Sequence, residues 1–351
     1  MIFHHMNIQK FVRKAALSLA AVCALVSAQA QDIHFTQFNG APMIMNPALT
    51  GSYNGLLRVT GIYRNQWSSV TTPYVTFGGS VDAPLFKDVA IDDYLAAGVS
   101  IYNDRSGDGN LANLSMLASI AYHKFLGTES NKSISVGLQG GYTQKSIDLA
   151  RLYWQDEFYN GGFQPGTTGE LLNPKVKYFT ANAGIQWQHA VSENFGYTLG
   201  VAGHNLNQPK ESFLKKQNNE VGLGMRINSQ IGAVWNAGYR LSIRPAFLYQ
   251  SQTAATEMIA GSEFLYIVGD PDIRSVATGV FVGGWYRFGD ATLITAGFEH
   301  KGFRVGFGYD YNMSDLNVAS GGNGGFEISL RYIKPNPLDF ARRIAFPCSR
   351  F

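Results

Sequence analysis

The sequence predicts an all-β protein: a transmembrane, antiparallel, up-and-down β-barrel of about fourteen strands, preceded by a cleaved signal peptide. Three observations carry that prediction. Aromatic- and glycine-rich segments with alternating apolar and polar residues follow one another from Leu56 to Ile333, with no helix-period stretch between them. The connections alternate between long and short. Beyond the N-terminal segment, no apolar run approaches the ~20 residues that a membrane helix needs. Membrane barrels read this way because each strand alternates lipid-facing apolar with lumen-facing polar residues. One rim carries short turns and the other carries longer loops.

Residues 1–30 read as the signal peptide. Lys10, Arg13 and Lys14 form a positive start, Ala15 to Val26 an apolar run too short to span a bilayer, and Ala28-Gln29-Ala30 a small-residue cleavage site. A lipoprotein reading through Cys23 is disfavoured, because branched Val22 precedes it and the apolar run continues past it. The whole chain has 28 Lys+Arg and 25 Asp+Glu, and three of the bases leave with this segment, so the mature chain is formally neutral. Its charge therefore gives no argument for nucleic acid as a partner. Cys348 is left as a single cysteine near the end of the chain, without a disulfide framework.

Residues 31–55 precede the first strand and carry no strand alternation. They are assigned as a periplasmic N-terminal segment, and three placements stay open: inside the lumen, across the periplasmic mouth, or against a partner. The barrel is assigned to 56–333 and a C-terminal tail to 334–351.

The first strand, Leu56 to Trp67, puts Leu57, Val59, Gly61, Tyr63 and Trp67 on one face and Arg58, Thr60, Arg64 and Gln66 on the other. Segments near 74–83, 94–103 and 112–125 follow. Lys132 to Ser146 sets Ile134, Val136, Leu138, Gly140 and Tyr142 against Ser133, Ser135, Gln139 and Thr143. Weaker segments lie near 177–190, 195–204 and 221–235. Tyr239 to Gln250 then sets Leu241, Ile243, Phe247 and Tyr249 against Arg240, Ser242, Arg244 and Gln250. Segments 255–268, 276–288 and 291–300 come next, and the faces of 276–288 are ambiguous. Phe303 to Met313 sets Val305, Phe307, Tyr309 and Tyr311 against Arg304, Asp310 and Asn312, and the last strand sets Phe326, Ile328, Leu330 and Tyr332 against Glu327, Ser329 and Arg331.

Gly127–Asn131, Ser192–Asn194, Asn236–Gly238 and Lys301–Gly302 are short connections, whereas Asp104–Asn110, Asp148–Lys175, Asn205–Glu220 and Ser314–Gly324 are mostly long. An even strand number puts both termini on the short-turn, periplasmic side. Connections 84–93 and 269–275 are longer than this rule expects, and the one at Gly289-Asp290 is shorter.

No catalytic, metal or cofactor constellation is present in the sequence, and the chain is read as non-enzymatic. His34, His123, His189, His204 and His300 show no metal-ligand spacing. Asn103 to Asn110 superficially resembles a calcium loop, but no closing Glu follows, and Asp, Gly and Asn are also what a tight hairpin requires. Arg58, Arg64, Arg240, Arg244, Arg304 and Arg331 project to the polar face. Either they attract anions or an acidic polypeptide, or they pair with Glu299, Asp310 or Glu327 inside the barrel, and pairing is preferred. The long 148–175 loop concentrates Tyr153, Trp154, Phe158, Tyr159 and Phe163. Such a patch is a partner-binding surface, a loop packed on itself, or a loop folded in as a constriction.

A family resemblance adds to this reading. Asp32-Ile33-His34-Phe35-Thr36-Gln37-Phe38 leads to Asn46-Pro47-Ala48-Leu49-Thr50-Gly51-Ser52 and then to Tyr63-Arg64-Asn65-Gln66-Trp67. This order resembles the opening of the PorP/SprF family of type IX secretion outer-membrane proteins, and looser likeness runs through Trp285-Tyr286-Arg287, Gly308-Tyr309-Asp310-Tyr311 and the tail Pro347 to Phe351. Phe326 stands where the family often has a His. The resemblance implies a non-enzymatic outer-membrane component of the type IX secretion and gliding machinery of Bacteroidota. It implies as partners the other secretion components and one large adhesin-like surface protein bearing a C-terminal sorting domain. A channel or transporter for small solutes is the rival reading, and no plug is recognisable in the sequence.

Overall fold

The computed structural model describes residues 35–336 apart from 69–71, 88–91, 128–129, 160, 165, 167, 169–171, 215–221, 254, 269–277 and 315–316. The expected signal peptide and most of the tail with Cys348 lie outside the described residues. The strands are β1 (Leu57–Gln66), β2 (Tyr74–Lys87), β3 (Tyr94–Ser106), β4 (Leu111–Leu126), β5 (Lys132–Ser146), β6 (Phe158–Tyr159), β7 (Gly162–Phe163), β8 (Lys175–Ala190), β9 (Phe195–His204), β10 (Arg226–Ala237), β11 (Leu241–Gln252), β12 (Ala255–Val268), β13 (Thr278–Arg287), β14 (Ala291–His300), β15 (Phe303–Asn312) and β16 (Asn323–Lys334).

All but β6 and β7 form one closed antiparallel barrel of fourteen strands. Each strand pairs with its sequence neighbour, β5 passes to β8 across the long loop, and β1 closes on β16 from Leu57↔Lys334 to Gln66↔Gly325. Closure leaves no edge strand, so every strand's backbone is paired within the wall, which a lipid environment requires.

The faces follow the alternation. Phe77, Val99, Leu138, Phe179 and Ile294 are exposed on the outer wall, whereas Arg58, Arg64, Ser135, Gln186, Asn228 and Glu327 are buried inside. A soluble sandwich would show the reverse, and apolar side chains outside with charges inside suit a wall solvated by lipid. The strand expected at 221–235 is corrected: β10 starts at Arg226, opposite His204. The ambiguous 276–288 segment resolves with Val280, Val282 and Tyr286 outward and Phe281, Trp285 and Arg287 inward. Its inward face is partly apolar because another apolar element meets it there.

That element is the segment before β1. Phe35 to Tyr53 folds as two 3-10 turns, Phe38–Gly40 and Pro47–Leu49, flanking one helical turn, Pro42–Met45. Pro42 and Pro47 each open a turn, where the missing N–H is not needed. Met43, Ala48 and Thr50 are fully buried. The segment bonds to inward-facing residues of β1, β2, β4, β5, β8, β9, β10, β15 and β16. Only an element inside the barrel can touch the inner faces of strands around the whole circumference. Of the three placements left open, the segment takes the lumen.

Its course runs along the barrel. Thr36 sits against Arg64 and Glu327, towards the long-loop rim, while Leu56 N donates to Lys334 O at the opposite end.

Candidate functional site

Two features stand out as functional material: the plugged lumen and the aromatic loop on the long-loop rim.

The plug is held at three stations. At the first, the Thr36 and Gln37 N–H groups donate to the two Glu327 carboxylate oxygens at 2.8 and 2.7 Å. Arg64 spans the same place, donating to Asp310 Oδ2 at 2.8 Å and Thr36 Oγ1 at 2.6 Å, with Glu327 Oε2 at 3.4 Å. Phe38 packs edge-on against Trp285 with ring centroids 5.3 Å apart, which accounts for that tryptophan facing inward.

At the second station, Asn46 caps its own turn by accepting from Ala48 N at 2.9 Å and donates to Ile185 O at 3.2 Å. The adjoining Met45 O accepts from Asn228 Nδ2 at 3.0 Å and His204 Nε2 at 3.2 Å. The wall makes room with glycine. A Cβ at Gly137 would lie 2.3 Å from the Pro47 carbonyl carbon, and one at Gly184 would lie 2.0 Å from Asn46 Oδ1.

At the third, Arg58 grips Asp82 through Nε at 3.0 Å and Nη2 at 2.7 Å, and donates to Leu49 O at 2.8 Å. Asp82 also accepts from Gly51 N at 2.6 Å, and His123 Nε2 donates to Thr50 O at 2.7 Å. The other His123 nitrogen then accepts from Ser135 Oγ at 2.7 Å, which fixes the ring's tautomer. Arg58→Ala leaves Asp82 buried without its guanidinium. The expected loss is about 3–5 kcal/mol, the range for breaking a buried pair. It is measured as a lower temperature for losing the folded band in an unboiled gel.

The pairing expected of the inward arginines holds for Arg58, Arg64, Arg244, Arg304 and Arg331, with Asp82 and Glu263 as carboxylates beyond those expected. Arg240 is corrected, because it lies exposed in the turn between β10 and β11 and not on the inner face. Besides Arg58 and Arg64, Arg304 binds Glu299 and Glu263, and Arg244 lies 3.2 Å from Glu263 and 3.6 Å from Glu299. Arg331 lies 3.6 Å from Glu299, and Arg287 reaches Asp310, Asp290 and Glu257. Arg304 also stacks over Phe281 at 3.7 Å. Between the plug and β12–β16 lies a cavity of about 30 Å³, lined by Gln37, Glu263, Trp285, Thr295, Arg304 and Arg331 among others. That is room for a water or two.

The residues quoted for the family resemblance thus divide by place. Gln37, Asn46, Pro47 and Ala48 belong to the plug, and Arg64 and Gln66 lie on the wall that receives it, with Gln66 Oε1 accepting from Arg64 at 3.3 Å. Asn65 sits between them, opposite Phe326. Tyr63 faces outward, and Trp67 ends β1 with φ 58° and its ring edge on Tyr74. Phe326 faces outward as well, so this departure from the family pattern leaves the lumen unchanged.

In the Asn103 to Asn110 hairpin, Gly107 has φ 67° and Asn110 N donates to Gly107 O at 3.0 Å, which makes it a tight turn. Its Asp104 and Asp108 accept from Thr76 and Thr72.

On the same rim, Glu157 organises the aromatic loop. Its carboxylate accepts from Trp154 N at 3.1 Å and Gly166 N at 2.7 Å. β6 and β7 pair as a small hairpin that sets Phe158 opposite Phe163. Tyr153 and Phe158 both pack edge-on against Phe163, at 5.4 and 5.1 Å. Even so, Tyr153, Phe158, Tyr159 and Phe163 are each more than half exposed, with Trp154 half-buried. Packing on itself and presenting a surface are therefore not alternatives here. The rim loops also support each other, with Asn173 N donating to Phe213 O at 2.6 Å and Lys145 paired to Glu211 at 2.6 Å.

Sequence reasoning missed Asp82, Asn228, Gly137 and Gly184. Polar or glycine residues at inward strand positions were the only signal.

A family model described as type IX secretion system membrane protein PorP/SprF matches residues 27–332. No curated protein matches the sequence. Among solved structures, the toluene transporter TodX of Pseudomonas putida is similar at TM-score 0.49 and 10% identity, over 86% of this chain and 93% of that one. The toluene transporter TbuX of Ralstonia pickettii is similar at TM-score 0.48 and 11% identity, over 84% and 94%.

Proposed function

The chain belongs to the PorP/SprF family of type IX secretion system membrane proteins, and from that premise we propose that it is a closed docking barrel for one large adhesin-like client. It sits in the outer membrane and works with other components of the secretion machinery. In this reading it supports export and surface anchoring of the client by holding the client's C-terminal sorting domain, without catalysis. The long-loop rim faces outward, and the start of β1 and the end of β16 face the periplasm.

The observation that carries this reading is the filled lumen. A solute channel needs a continuous aqueous path, and here the chain's own segment lies in the lumen, bonded to the inner faces of nine strands. The barrel's exposed aromatic loop then offers the surface for a protein partner.

The test is to tag the barrel in its host, extract the outer membrane gently and identify what co-purifies. One large surface protein with a C-terminal sorting domain, lost from the surface on deletion of the barrel, supports the reading. A barrel that emerges alone, with stable conductance and unchanged surface proteins, returns the solute channel.

Replacing Tyr153, Phe158, Tyr159 and Phe163 by Ala is expected to leave the folded gel band in place, because these side chains lie outside the barrel wall. Client recovery in the same pull-down should fall by at least about tenfold if two or more of them are anchors contributing roughly 1 kcal/mol each.

A further inference from the structure

We propose that the lumen is a polypeptide-binding site and that Phe35 to Tyr53 is its displaceable resident, exchanged for an extended segment of a client carrying an Asn-Pro-small turn. This rests on the docking reading and deepens it.

The wall grips the segment by its main chain as well as by side chains such as Thr36, Asn46 and Ser52 and the buried Phe38, Met45 and Leu49. Eight backbone atoms are held by groups of the wall: Thr36 N, Gln37 N, Met43 O, Met45 O, Leu49 O, Thr50 O, Gly51 N and Gly51 O. Every polypeptide offers such atoms, so this part of the grip is independent of side chains. One station does read shape. The glycine seat at Gly137 and Gly184 admits the Asn46-Pro47-Ala48 turn at distances no Cβ would permit, which sets register.

Exchange is energetically level under one condition. The plug is tethered through Asn54 and Gly55 to β1 and so enjoys a high effective concentration, millimolar for a short linker. A free peptide competes poorly against that. A client held on the rim loops is tethered too, and one tethered segment then replaces another.

The first experiment places a protease site at Asn54, the exposed residue between the plug and β1. The purified full-length barrel is cut, and a fluorescent peptide matching residues 35–53 is added. The peptide is expected to enter and to be competed out by unlabelled copies. A peptide carrying Ser52→Ala loses one neutral hydrogen bond and should bind about threefold to tenfold more weakly. A peptide carrying Pro47→Leu and Ala48→Leu should not enter at all. If the cut segment never leaves and no peptide enters, the lumen is a permanent core and the proposal fails.

Should the nicked protein not fold, a lock in the intact chain decides. A Cβ at Gly40 would lie 3.3 Å from Ser329 Cβ, close to disulfide spacing, so Gly40→Cys with Ser329→Cys can staple the plug to β16. The oxidised lock is expected to stop surface display of the client, and reduction to restore it. Undiminished display with the lock closed overturns exchange and leaves docking intact. Undiminished display without any barrel overturns docking itself.

Discussion

Arg64→Ala is expected to destabilise the barrel by about 3–5 kcal/mol, at the upper end for a single substitution. Arg64 is fully buried and answers two carboxylates at once, Asp310 at 2.8 Å and Glu327 at 3.4 Å. Removing it takes the guanidinium from both: Asp310 keeps Arg287 at 3.4 Å, whereas Glu327 keeps the Thr36 and Gln37 N–H groups, under a plug that packs over the site. The effect reaches beyond one pair. β1 carries Arg64, β15 carries Asp310, β16 carries Glu327, and Glu327 holds the first two plug N–H groups. The seam where the barrel closes and the entry of the plug therefore loosen together. The measurement is the urea or temperature midpoint for loss of the folded gel band. Arg64→Met with Glu327→Gln should recover part of the loss, since one uncompensated charge is gone. If Arg64→Ala unfolds like the parent, the cluster is not what holds the seam.

Gly137→Val is expected to open the lumen. A Cβ there lies 2.3 Å from the Pro47 carbonyl carbon and 2.4 Å from Ala48 N, both backbone atoms that cannot rotate away. Overpacking of this kind costs about 1–3 kcal/mol or more, and the plug can relieve it by leaving the seat. Gly140→Val, on the same strand but with nothing within 4 Å of its Cβ, is the matched control. Reconstituted in planar bilayers, the Gly137 variant should show stable single-channel conductance where the parent and the Gly140 variant show little. Both variants lose the same glycine flexibility, so a difference between them reports contact with the plug. Equal, silent bilayers for all three would mean that the Asn46 turn can shift without unblocking the path.

These two residues also show what was legible in the chain. Arg64 stands out by alternation alone, because an arginine at an inward strand position, two residues from Ile62 and Gln66 on the same face, needs an internal partner. Gly137 does not stand out. Among many glycines in curved strands nothing local marks it as a seat, and its meaning comes from Pro47, far away in sequence. The faces of the 276–288 segment stayed ambiguous for the same reason: Phe281 and Trp285 break the polar rule of the inner face because Arg304 and Phe38 cover them.

By itself the sequence determined the strand alternation, the strand count, the rim that carries the long loops, and the family. Those properties are written in a period of two and in contiguous motifs, which short-range sterics and the choice between lipid and lumen enforce residue by residue. Only the tertiary structure decided that Phe35 to Tyr53 fills the lumen, which carboxylate answers which arginine, and that the aromatic loop is self-packed and exposed together. Those outcomes depend on groups brought together from opposite sides of a closed wall. No local pattern encodes that meeting, because closure of β1 on β16 is what creates the interior in which it happens.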